Sequence, residues 1–299
     1  MRQGADGRKK GAPVEKIVTR ECPSVKLKDC DNCDLVKYCS DRCQEIHKDQ
    51  HEEKCKKRRD ELRDDDLFTP PEGSHLGECP ICCLPLPLDP VKSIFMQCCS
   101  QLICKGCDYA NQKREAKAEL EHRCSFCREP GPKLQEEAVK QEMERAKKNC
   151  PAAMSRTGYK RYQEGDYETA LEYFTKAAEL GDADAHYFLG FMYRMGRGVE
   201  KDKKKEVYHS EQAAVRGHAS ARHSLGCEEA NNGRFERAKK HWIIAANLGH
   251  DGSLKMLRRL YTEGHASKED YANALRANQA AVDATKSVDR EKAEAFRSS

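Results

Sequence analysis

Cysteine and histidine pairs at short spacing are the groups in this chain able to do chemistry, and the chemistry they suit is tetrahedral metal binding. Fifteen of the seventeen cysteines lie between Cys22 and Cys127, and four pairs have the form Cys-x-x-Cys: Cys30/Cys33, Cys79/Cys82, Cys104/Cys107 and Cys124/Cys127. Two thiolates three residues apart grip one ion from a tight turn, and zinc closes its shell with four such sulfur or imidazole ligands. His51 and Cys55 stand one helical turn apart and can grip an ion from one helix face. Cys30, Cys33, His51 and Cys55 are therefore assigned to one site. A disulfide framework is the competing use of so many cysteines, but it belongs to small secreted domains. The start MRQGADGRKKGAPVEK is basic and polar, with no apolar stretch of a signal peptide behind it. The expectation is zinc in a reducing, intracellular compartment, cytoplasmic or nuclear.

From Lys37 to Cys55 the chain reads KYCSDRCQEIHKDQHEEKC. Tyr38, Cys39, Ser40, Cys43, Gln44, His47, His51 and Cys55 resemble the MYND zinc finger in type and spacing, over residues 19 to 55. The resemblance implies a second zinc on Cys22, Cys39 and Cys43, since Thr19 stands where the family has its first cysteine. His47, one turn after Cys43, completes that set in one reading; a degenerate site is the alternative. Lys48 replaces the tryptophan usual after the first histidine. MYND fingers bind short, often proline-rich peptides, so the resemblance implies protein recognition.

After an acidic, proline-containing stretch (Asp64 to Ser74) come three more Cys-x-x-Cys pairs and the doublet Cys98-Cys99. This run resembles a RING finger, in which ligand pairs one and three hold one zinc and pairs two and four the other. The resemblance implies a site on Cys79, Cys82, Cys104 and Cys107. It implies a second on Cys124, Cys127 and Cys99, with Cys98 or His122 as fourth ligand because Gln101 replaces the family's histidine. Up to four zinc ions are expected, two here and one or two in the MYND-like finger. RING ligases act by orienting a ubiquitin-conjugating enzyme, with no covalent intermediate. Ile81 and Pro85 match the apolar contact with that enzyme, and Arg128 matches the basic residue that pins ubiquitin, a task suited to planar, bidentate donors. Ser125 stands where many active RINGs have proline. No Ser-His-Asp or Cys-His nucleophile arrangement is evident, and closed thiolate sites leave no position for a catalytic water.

What positions these groups is read from the rest of the chain. From about Ala152 the cysteines thin out and a repeat begins: Leu189 and Leu225, like Gly181 and Gly217, recur at one period, and KAAELG, QAAVRG and IAANLG recur with them. Such a period marks a solenoid of helix pairs. It resembles Sel-1-like repeats, relatives of the tetratricopeptide repeat, with four units starting near Ala153, Ala185, Ala221 and Ser253. In the fourth, Arg258 stands where the motif wants glycine. Tyr162, Tyr173, Phe174, Tyr187, Phe188, Tyr208 and Trp242 fall at helical spacing and are expected to be mostly core. His218, His223, His241 and His250 lack ligand spacing and are expected to be surface or packing residues.

The fold class expected is mainly α: a C-terminal Sel-1-like α-solenoid of helix pairs preceded by two small zinc-held α+β fingers, MYND-like and RING-like. The expected divisions are a disordered basic tail (1–18), the first finger (19–57), a linker (58–75), the second finger (76–132), a connecting helix (133–150), the repeats (151–287) and a polar tail (288–299). Hydrophobic residues make up 38% and charged residues 35%, a balance suited to metal-held modules and amphipathic helices. No segment reaches the apolar length of a membrane span. A net charge of +4, with Asp and Glu interleaved among the lysines of the fingers, argues against nucleic acid. The function expected is a zinc-binding, protein-interaction adaptor. Its first form is a ubiquitin ligase that recruits a conjugating enzyme through the RING-like finger and substrate or complex partners through the repeats. A non-catalytic scaffold is the alternative.

Overall fold

The computed structural model describes residues 17–18, 28–30, 36–38 and 41–298. The chain divides into two compact units, residues 1–67 and 68–299.

In the first unit, β1 (Ile17–Val18), β2 (Lys28–Asp29) and β3 (Val36–Tyr38) form a small sheet in the order β1-β3-β2. Helix α1 (Asp41–Phe68) follows and runs for 28 residues. It therefore continues through most of the segment expected to be a linker from residue 58. The reason is local: KCKKRRDELRDDDLF contains no Gly or Pro and is rich in Lys, Arg, Glu and Leu, all good helix formers. The helix stops just short of Pro70 and Pro71.

The second unit opens with a metal-ligand module. The hairpin β4 (Ser93–Met96) and β5 (Gln101–Cys104) pairs Ile94 with Ile103 and Phe95 with Leu102, and its turn carries Cys98 and Cys99. Helix α2 (Lys105–Lys117) leaves directly from β5. Its buried residues include Asp108, Asn111 and Glu115, which serve as an internal polar frame. Asp108 accepts from the Ser125 hydroxyl at 2.8 Å, Asn111 donates to the Arg123 carbonyl at 3.2 Å, and Glu115 lies 3.0 Å from His122. A helix that looks wholly solvated by its charge thus buries three polar groups because each finds a partner.

Helix α3 (Gln135–Lys147) packs on the first helix of the repeat array, α4 (Pro151–Gln163). Three further pairs follow α4 and α5 (Tyr167–Glu179): α6 (Ala183–Met195) with α7 (Lys203–Val215), α8 (Ala219–Asn231) with α9 (Phe235–Asn247), and α10 (Asp251–Thr262) with α11 (Lys268–Ala284). Six of the N-termini are set by side chains that accept from free backbone N–H groups: Asp166, Asp182, Asp202, His218, His250 and Ser267. Leu189, Leu225 and Leu257 occupy one position of successive pairs and are all buried. The residue after each is Gly190, Gly226 and then Arg258, which is exposed. Among the aromatics, Phe174 and Trp242 are core, whereas Tyr208 is exposed, so helical spacing alone overstated its burial. Among the described residues no helix is long and apolar enough to cross a membrane.

The glycine at this position sets the closest helix approaches. A Cβ at Gly226 would lie 2.5 to 2.9 Å from three atoms of the Trp242 indole, which is itself buried and cannot swing away. At Gly158 the corresponding contacts, to Phe174, are 3.1 Å. Gly226→Ala is therefore expected to cost about 3 kcal/mol through overpacking, and Gly158→Ala clearly less. Thermal unfolding of the two variants checks the order.

The last segment, expected to be a polar tail, is helix α12 (Val288–Ser298), packed on α2 with Arg290 and Ala293 buried. Arg290, Ala293 and Phe296 recur every third residue and so share a face, which charge composition conceals.

Candidate metal centres

Each Cys-x-x-Cys segment of the second module is a tight knuckle. The Cys83 N–H donates to the Cys79 carbonyl at 2.8 Å and the Cys79 N–H to the Leu84 carbonyl at 2.9 Å. The Arg128 N–H donates to Cys124 at 3.1 Å and the Cys124 N–H to Glu129 at 2.8 Å in the same pattern. Cys83 and Arg128, the residues after each knuckle, adopt left-handed φ of 55° and 65° to close the turn. The third pair is held differently: Cys104 ends β5 and caps α2, its sulfur accepting from the Cys107 N–H at 3.4 Å.

These elements bring Cys79, Cys82, Cys104 and Cys107 together, every sulfur within 4.8 Å of the others, and likewise Cys98, Cys99, Cys124 and Cys127. Short separations are 3.8 Å for Cys82–Cys104, 3.4 Å for Cys98–Cys127 and 3.9 Å for Cys99–Cys124. Four sulfurs about 2.3 Å from a central zinc stand about 3.8 Å apart, whereas a disulfide needs about 2.05 Å. The donor sets fit a tetrahedral cation. The two sites interleave along the chain, each taking alternate ligand pairs. His122, the other candidate for the fourth ligand of the second site, lies with Glu115 instead.

In the first unit Cys30, His51 and Cys55 converge in the same way, with His51 Nε2 3.5 Å and Cys55 Sγ 3.9 Å from Cys30 Sγ. Cys22, Cys33 and Cys39 lie outside the described residues, as do the side chains of Cys43 and His47.

The electrostatics of the four-cysteine sites suit a divalent ion. Burial raises the Cys79 thiol, but backbone N–H groups of Cys104, Cys82 and Ile81 outweigh it and bring it down to about 7. Burial pushes Cys99 up to about 11, and burial also raises Cys98, Cys104 and Cys107, with neighbouring thiols adding to the effect. Backbone donors thus favour the thiolates of Cys79 and Cys124, whereas burial disfavours ionising Cys98, Cys99, Cys104 and Cys107 without a cation among them.

The three residues matched to ligase roles are placed as follows. Ile81 is 41% exposed on the first knuckle. Pro85 forms a bridge with Glu78 at the end of that knuckle. Arg128 turns towards α2, donating to Asn111 at 2.6 Å and lying 3.8 Å from Glu115.

Residues 20–55 match the MYND finger model, and residues 151–182, 183–218 and 225–250 match the Sel1 repeat model. The chain carries a MYND finger and Sel1 repeats. A MYND finger is a zinc module, and the donors gathered at Cys30 fit that ion. A 55-residue segment is 40% identical to a putative beta-lactamase, HcpC, of Helicobacter pylori, covering 18% of this chain and 19% of that protein. This chain thus spans about a fifth of that curated relative's length. Among solved structures, a Sel1 repeat protein from Oxalobacter formigenes is similar at 28% identity and TM-score 0.45, over 61% of this chain and 81% of that one. A protective antigen of uropathogenic Escherichia coli with an SLR fold is similar at 21% identity and TM-score 0.40, over 64% and 39%.

The fourth helix pair, α10 and α11, lies beyond the third matched repeat and packs on α9. The Sel1 repeats also hold a cluster that spacing did not reveal: His75, Asp184 and His218. His218 caps α8 by accepting the Ala221 N–H on Nδ1 at 3.1 Å, so its proton sits on Nε2, 3.3 Å from Asp184. A protonated ring nitrogen has no lone pair for a metal. His75 places Nε2 3.0 Å from the same carboxylate oxygen, and its backbone N–H donates to the Gly217 carbonyl at 3.1 Å. The two rings stack at 4.3 Å, and Tyr187 covers the other side of His218 at 4.4 Å. Burial would raise the Asp184 carboxyl, but hydrogen bonds from His218 and His75 outweigh it and hold it well below the usual range. The cluster is a clasp that fastens the segment before the second module to the Sel1 array. No local pattern announces it, because His75 and Asp184 meet only in the folded chain.

Proposed function

We propose that this protein is an intracellular zinc-binding adaptor of the ubiquitin system. In this reading residues 76–132 are a RING-like two-zinc module that orients a ubiquitin-conjugating enzyme, and the Sel1 repeats hold the substrate or complex partner. The observation that carries the reading is the interleaving of the two four-cysteine clusters, in which alternate cysteine pairs converge. With the MYND finger, the full complement is up to four zinc ions, and free thiols as ligands suit a reducing compartment.

Ile81, large, apolar and exposed on the first knuckle, supports a docking face for the conjugating enzyme, with Pro85 on the same loop. A cavity of about 1460 Å³ lies between the module and the array, lined by Phe95, Arg156, Asp184, Tyr187 and His250 among others. A partner segment held there would face the module. Catalysis would come from positioning, which in well-oriented reactions is worth up to about 7–11 kcal/mol. The scaffold reading has its own supporting observation: Arg128, which would pin ubiquitin, is engaged by Asn111 and Glu115.

Incubation of the zinc-loaded protein with ubiquitin, its activating enzyme and a panel of conjugating enzymes decides between them. The ligase reading expects chains that depend on this protein and at least a tenfold loss in Ile81→Ala and in Arg128→Ala at unchanged zinc content. Undiminished transfer in both variants overturns the roles given to Ile81 and Arg128, and no chains across the panel leaves the scaffold.

A further inference from the structure

Arg290 is a buried guanidinium with no carboxylate beside it among the described residues. It is 7% exposed on α12. Nη1 donates to the carbonyls of Pro85 at 2.8 Å and Thr285 at 2.6 Å. Nη2 points at the first metal site, 3.3 Å from the Leu84 carbonyl and 3.4 Å from Cys82 Sγ. The fit is close: a Cβ at Gly106, in the stretch between Cys104 and Cys107, would lie 2.7 Å from the Arg290 backbone nitrogen and 2.9 Å from its Cα. Only glycine there lets α12 approach. Around this contact Phe296 lies against Tyr109 at 5.3 Å between ring centres, and Glu294 pairs with Lys92 at 2.9 Å.

A buried charge without a counter-charge is costly. Carbonyl dipoles satisfy some of the donors here but carry no net charge. A divalent cation bound by four cysteines deprotonates them, so the centre as a whole carries two negative charges. That is the missing partner. We infer that Arg290 is the outer-sphere counter-charge of a metal held by Cys79, Cys82, Cys104 and Cys107, so that loading this site and docking the last helix strengthen one another. The coupling is reciprocal: whatever pulls α12 away weakens the metal, and loss of the metal frees α12. The inference rests on the metal-binding reading of this cluster and not on ligase activity. The second cluster, braced instead by Arg145 donating to the Cys99 carbonyl at 2.9 Å, serves as an internal control.

The test uses the full chain loaded with zinc, and in parallel with cobalt, as wild type, Arg290→Gln, Arg290→Lys and Gly106→Ala. Total zinc is measured first. Release to a colorimetric chelator is expected to show one phase accelerated on the order of tenfold in Arg290→Gln, with the other phases unchanged and Arg290→Lys intermediate. The sulfur-to-cobalt charge-transfer band of one site should shift in Arg290→Gln, a change that loosened packing alone does not produce. Gly106→Ala should speed the same phase, and stripping the metal should expose Lys292 to trypsin. Normal zinc content with unchanged release and unchanged cobalt spectrum in Arg290→Gln overturns the inference alone. A wild type without metal at the four-cysteine sites overturns the metal reading and this inference with it.

Discussion

Stripped of the metal proposed for them, residues 76–132 should unfold while the Sel1 array keeps its helices. The buried hydrophobic cluster of the second module joins Cys79, Leu86, Met96, Ile103, Cys104 and Cys124, so half of that cluster is the proposed ligand set itself. With so few aliphatic groups, burial alone cannot offset the ordering entropy of the segment. Structural zinc supplies on the order of 10 kcal/mol or more in such modules. The array depends on no such ion: one cluster joins Phe174, Leu189 and Met192 between the first helices, and another joins Trp242, Leu257 and Leu260 further on. Excess chelator should therefore open the module to protease within residues 76–132 and leave most helical circular dichroism in place. Cys79→Ser and Cys124→Ser should each do the same without chelator. A module that resists protease after its metal is shown by elemental analysis to be gone would refute this account.

The contrast between these two halves also explains what the sequence made legible. Metal sites and repeats are both written in short intervals. The spacing of Cys79 to Cys82 or Cys124 to Cys127 is dictated by a single turn, and Leu189 and Leu225 by one helix pair. Which residues pair locally can be read without knowing any distant contact. The choice between Cys98 and His122 could not, because it depends on which way the β4–β5 turn faces the last knuckle. The clasp of His75, Asp184 and His218 and the reach of Arg290 to Cys82 join residues far apart in the chain, with no local signal at either end. Composition conceals burial at two places. Asp108, Asn111 and Glu115 on α2, and Arg290 on α12, look solvent-facing by composition yet are buried, because each meets a partner that composition does not show.

Acid should unfold the Sel1 array well above the pH at which its surface carboxylates titrate. Burial, with the nearby charges of Arg222 and Arg237, lowers His241 to about 3. Burial first, then neighbouring positive groups, lowers His186 and His250 to about 4 each. In the unfolded chain all three titrate near 6.5. A histidine depressed by folding is neutral in the folded state and protonated in the unfolded one throughout the interval between the two values. Stability is therefore flat above about pH 6.5 and falls as pH drops towards 4, by about 1.4 kcal/mol per unit for each such group. Asp182 works against this. Burial and the charge of Asp184 raise it to about 6, so between about pH 6 and 3.8 it favours the folded state on acidification and offsets roughly one histidine. Asp184, held low by its clasp, adds a further loss only below the ordinary carboxylate range. The net fall, of order several kcal/mol between pH 7 and 4, is comparable to the whole stability of an ordinary domain. Trp242 is the only tryptophan in the chain and is buried beside His241, so its fluorescence reports this event within the array. Urea midpoints followed through Trp242 should drop steadily from pH 7 to 4.5. His241→Gln should flatten that slope by about 1.4 kcal/mol per unit, and a midpoint independent of pH over this range would show that these histidines are not held neutral by the fold.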